Sequence, residues 1–140
     1  MENWKVINKG YIPKGKYLAE LKNGEEEGLI ILLESNEYSV KMDFGLASAV
    51  RMFDEGILLQ EDIFDEEQIV KYKKDNFSNT IYKIVDGEFG NEVKKISGEM
   101  YDVLNLEHYL IITLNYVIEV ISQGEPEINV IPIDDNMGVE

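Results

Sequence analysis

The stretch Tyr109-Leu110-Ile111-Ile112-Thr113-Leu114-Asn115-Tyr116-Val117-Ile118-Glu119-Val120-Ile121 decides how this chain folds. It is the longest apolar run, and Thr113, Asn115 and Glu119 interrupt it. At 13 residues it is too short for a membrane helix, which needs about 20 mostly apolar residues. Its six Ile or Val residues favour strand over helix. Leu114-Asn115-Tyr116 sits midway between two branched segments, so the stretch reads as a β-hairpin. Glu119, inside the second arm, either points outward to solvent or is buried and paired. Outward is the expectation, because an unpaired buried carboxylate is costly.

Working outward, Thr80 to Val85 reads as a strand ended by Asp86-Gly87. Phe89, Val93, Ile96 and Met100 recur at helical spacing, which predicts a short amphipathic helix over residues 88–97. Ile128 to Ile133 reads as an edge strand, since Pro132 cannot donate to a ladder on both sides. Upstream, Leu29 to Leu33 is a continuous apolar run suited to a strand buried on both faces. Val40, Met42 and Phe44 alternate with Lys41 and Asp43 as in a half-buried strand, and Gly45 suggests a bulge. Ala47 to Leu59 fits either a helix stripe or a continuing bulged strand, with strand preferred. Trp4 to Ile7 and Tyr17 to Lys22 are further strands, and Asn23 to Gly28, with its three consecutive Glu, is a hairpin loop tip. Glu61 to Lys74 reads as an acidic loop feeding a helix, with Asp65-Glu66-Glu67 as the capping turn. The sum is an α+β fold, a mostly antiparallel sheet of seven to nine strands with about two short helices.

The 140 residues are the usual length of one domain, with Asp134 to Glu140 as a loose acidic tail. An apolar fraction of 44% is that of a packed globule. The absence of cysteine excludes disulfides, thiolate nucleophiles and zinc-thiolate sites. The N-terminus lacks the basic-then-apolar pattern of a signal peptide, which points to the cytoplasm. The net charge is −15, and it is uneven. Residues 1–24 hold five Lys and two Glu, so the rest of the chain carries −18. Such a surface repels nucleic acid and anionic membrane and attracts basic proteins. Solubility alone would also account for it.

His108 is the single histidine, with no nucleophile signature near it, and a structural or surface role is expected. One histidine and no cysteine leave no transition-metal site of the common kinds. Arg51 is the single arginine. It either anchors a partner carboxylate or clamps the turn at Asp54-Glu55-Gly56, and the clamp is preferred. Glu61, Asp62, Asp65, Glu66 and Glu67 are the densest acidic cluster, without the spacing of a calcium loop. Asp43-Phe44-Gly45 matches the kinase metal-binding triplet in letters only, because every other kinase element is missing.

Two stretches carry a family resemblance. One is Phe44-Gly45-Leu46-Ala47-Ser48-Ala49-Val50-Arg51-Met52-Phe53-Asp54-Glu55-Gly56. The other is His108 to Thr113 through Val117 to Ile121, ending in Glu125-Pro126-Glu127. Together they resemble small bacterial proteins encoded beside polymorphic toxin genes and regarded as immunity proteins. The resemblance implies a protein that binds and neutralises a toxin domain, and it brings no catalytic residue.

The expectation is therefore a non-catalytic protein-binding domain without cofactor or metal, facing a basic protein partner. The residues expected at the interface are Arg51, Asp54, Glu55, Asp62, Asp65, Glu66 and Glu67. Open sheet edges also suit a homodimer. The alternatives are a small carboxylate-dependent hydrolase and an oligomeric structural subunit.

Overall fold

A computed structural model describes residues 3–7, 11–54 and 80–133. The decisive stretch forms the predicted hairpin, β7 (Glu107–Ile112) and β8 (Tyr116–Ser122). Thr113 makes the turn: its N–H donates to the Tyr116 carbonyl at 2.9 Å, and its Oγ1 accepts from the Tyr116 N–H at 3.1 Å. The side-chain hydroxyl thus satisfies a backbone donor at the turn, and neither Leu114 nor Asn115 adopts a positive φ.

The hairpin is the centre of a five-stranded antiparallel sheet, in the order β1-β6-β7-β8-β5. Its other members are β1 (Asn3–Val6), β5 (Ala49–Asp54) and β6 (Ile81–Val85). A second, four-stranded antiparallel sheet runs β2-β3-β4-β9. It comprises β2 (Leu18–Gly24), β3 (Gly28–Glu34), β4 (Tyr38–Gly45) and β9 (Glu127–Pro132). As expected, β9 is an edge strand. The expected strand in the ambiguous segment also forms, over Ala49–Asp54.

Strand alternation explains why the two sheets pack together. Leu29, Ile31 and Leu33 of β3 and Val40, Met42 and Phe44 of β4 meet Tyr109 and Ile111 of β7 and Ile118 and Val120 of β8 in one buried cluster. The opposite parity of the larger sheet is apolar as well. Trp4, Tyr82, Ile84, Leu110, Ile112 and Val117 form a second buried cluster on its far face. The continuous apolar character of the hairpin follows from this, because both faces of its strands are buried.

The anticipated bulge lies at the end of β4, where Leu29 pairs with Gly45 while Ile30 pairs with Asp43. Asp43 Oδ1 accepts from the Gly45 N–H at 2.9 Å. The chain passes so close here that a Cβ on Gly28, at φ +78°, would lie 2.1 Å from the Gly45 carbonyl oxygen. Only glycine meets both demands. Just beyond the bulge the chain crosses to the larger sheet, where the Ser48 N–H donates to the Ile121 carbonyl at 2.8 Å. This places β5 beside β8, and with it Arg51.

Among the described residues, two helices lie between β6 and the hairpin, α1 (Glu88–Ser97), as predicted, and α2 (Met100–Val103). Gly98, at φ +60°, closes α1 by donating its N–H to the Lys94 carbonyl at 3.0 Å.

Candidate functional site

On the far face of the larger sheet, three neighbouring strands bring together three charged or polar side chains. β5 pairs with β8 so that Arg51 stands directly across from Glu119. β7 pairs with β8 so that Leu110 stands across from Glu119, with His108 one step along the same face. Glu119 is 1% exposed and His108 2%. Arg51 Nε donates to Glu119 Oε2. His108 Nε2 donates to Glu119 Oε1 at 2.8 Å, which places a proton on Nε2. Both carboxylate oxygens are therefore engaged.

The structure corrects one sequence reading of this region. Glu119 does not point to solvent; it is buried and paired. Its strand has apolar cover on both faces, so neither side offers water. Arg51 turns its Nε to Glu119, and of the turn expected at Asp54-Glu55-Gly56, Glu55 and Gly56 lie outside the described residues. Residues 51 and 54 lie three apart in a strand and project from opposite faces. His108 lies within β7, in the interior.

Helix α1 seats on this network. The Phe89 ring meets the His108 imidazole edge-on at 5.8 Å between centroids. The Arg51 guanidinium lies 4.5 Å from the Phe89 ring centre and 5.1 Å from that of Phe53, a cation between two aromatic faces. The approach is close: a Cβ on Gly87 would stand 2.9 Å from His108 Nδ1, and one on Gly90 3.1 Å. Glycine at these two positions lets the first turn of α1 lie flat against the imidazole. Among the described residues, His108 Nδ1 and Arg51 Nη2 have no hydrogen-bond partner. An open cavity of about 290 Å³ adjoins the network, lined in part by Asp86, Asn91, Lys94, Tyr101 and His108. Asn91 Nδ2 donates to Asp86 Oδ1 at its rim, at 3.0 Å.

The outer side of the helices differs from expectation. The stripe Phe89, Val93, Ile96, Met100 begins inward, with Phe89 and Val93 half-buried. It then runs out into solvent, with Ile96 85% exposed, Met100 49% and Val103 66%. The helix leaves the sheet along its length, so its later turns lose the cover that its first turn finds on Arg51 and His108. Glu92, Glu99 and Asp102 are exposed around these side chains. Lys94 pairs with Asp102 at 3.9 Å.

Of the residues expected at an interface, Arg51 is half-buried in the network and Asp54 is exposed at the end of β5. Glu55, Asp62, Asp65, Glu66 and Glu67 lie outside the described residues. Sequence reasoning missed the Arg51–Glu119–His108 constellation although its signal was present. The hairpin register alone puts positions 108 and 119 on one face. No helix among the described residues is long and apolar enough to cross a membrane. No protein-family model, curated protein or solved structure matches this chain.

Proposed function

We propose that this chain is a non-catalytic binding domain for a basic protein, working as an immunity-like inhibitor. The observation that carries the reading is the sign of the exposed surface. Fourteen carboxylates are exposed among the described residues against seven lysines. Such a field speeds encounter with a basic protein and opposes nucleic acid. Catalysis finds less support. Among the described residues, Glu119 is the one carboxylate held in a buried polar network, and its two oxygens accept from Arg51 and His108. At 1% exposure it is closed off from any substrate that a general base would have to reach.

Arg51 contributes to this function by holding the scaffold, while exposed acids such as Asp54 face the partner. Co-expression with the product of the neighbouring gene tests the proposal. A tagged copy should carry that product through a sizing column as a complex that persists at micromolar concentration. Absence of any such complex contradicts it. A size that rises with concentration when the protein is alone would favour the oligomeric subunit instead.

A further inference from the structure

We infer that the partner docks on the outer face of α1 and α2, and that the docking element is a basic amphipathic helix. This rests on the proposed binding function and names the surface that performs it. Ile96, Met100 and Val103 are large apolar side chains at spacings of four and three, all left in solvent. Exposed apolar side chains occurring singly are ordinary, but three within eight residues, on the adjoining ends of two successive helices, concentrate apolar surface along one stretch of chain. Their surroundings choose the occupant. Residues 86–103 hold Asp86, Glu88, Glu92, Glu99 and Asp102 against Lys94 and Lys95, a net of −3. Lys94 is already paired with Asp102. A partner segment with apolar residues on one face and Lys or Arg beside them matches both features at once. Recognition of this kind reads apolar anchors along one helix face and charges along its flanks. Met100 adds an adaptable contact in the middle of the patch. The buried network anchors the helix that carries Ile96, because Phe89 at the other end of α1 is wedged on Arg51 and His108.

The test uses two synthetic probes with the intact protein. One is a helical peptide of about 15 residues with Leu along one face and Lys along the other; the second is an oligolysine of equal charge. Fluorescence anisotropy should show the amphipathic peptide bound more tightly than oligolysine. Replacing Ile96→Ser together with Val103→Ser should weaken the amphipathic peptide by about tenfold or more, since two apolar anchors are lost. Binding of oligolysine should not change. Glu92→Lys with Glu99→Lys should weaken both probes. All four substituted positions are on the surface, and a thermal melt by circular dichroism checks that each variant folds. Equal peptide affinity for wild type and the serine variant would overturn the docking surface while leaving the acidic binding function standing. Failure of the wild type to bind either probe would remove both. A wild-type dimer that the serine substitutions dissociate would assign the patch to a second copy of this chain and overturn the inference.

Discussion

Glu119 is the side chain on which most of the far-face geometry depends. A carboxylate buried to this degree is tolerable only with partners, and Arg51 and His108 supply them. Glu119→Ala removes the counter-charge from a half-buried arginine and the partner of a buried imidazole, so it should destabilise the fold by about 3–5 kcal/mol. Urea denaturation measures this, and a loss under about 1 kcal/mol would mean the network contributes little. Tyr109 makes a second residue-scale claim. Burial first, then the charges of Glu107 and Glu125, push its phenol up to about 12 from an ordinary 10.0. The unfolded chain therefore releases this proton first as pH rises. Below pH 10 the contribution is intact; from 10 to 12 it is progressively lost, to a total of about 3 kcal/mol. Tyr109→Phe should flatten the alkaline fall in stability over that window. It should not abolish the fall, because burial also raises Tyr17 and Tyr101. An unchanged alkaline slope in the variant would count against the assignment.

Among elements, α1 is held by its ends unequally. Its first turn is wedged on Arg51 and His108, while its last turns carry Ile96 in solvent. In Glu119→Ala, amide hydrogens of residues 88–97 should exchange faster well before those of β7 and β8 do. Uniform acceleration across the molecule would show instead that the network serves the sheet as a whole. The elements themselves were largely legible in the sequence, because each rests on local chemistry. Branched residues on both sides of Leu114-Asn115 wrote the hairpin, Gly45 the bulge, Pro132 the edge strand, and the Phe89–Val93 spacing the helix. What sequence did not show was that the far face of the hairpin is also covered. Glu119 was therefore assigned to water on the ordinary assumption that one face of an antiparallel strand is wet. Ile96 and Met100 failed in the opposite sense. Periodicity reports that a helix has an apolar face, whereas burial depends on what tertiary neighbour that face meets.

At the scale of the whole molecule, two antiparallel sheets pack face to face and one of them carries α1 on its other side. The assignment of strands to two sheets was not readable from the sequence, since β4 to β5 is a chain crossing that local pattern does not mark. The charge, by contrast, was readable from composition and survives folding as an outward-facing property, with 14 exposed carboxylates among the described residues. That surplus is the central functional claim, and long-range attraction between surface charges is sensitive to ionic strength. Calorimetric titration with the neighbouring gene's product at about 0.05 M and about 0.3 M salt tests it most directly. Tight binding at low salt that weakens about tenfold or more at high salt is the predicted result. Affinity indifferent to salt, or no heat of binding at either concentration, would contradict it.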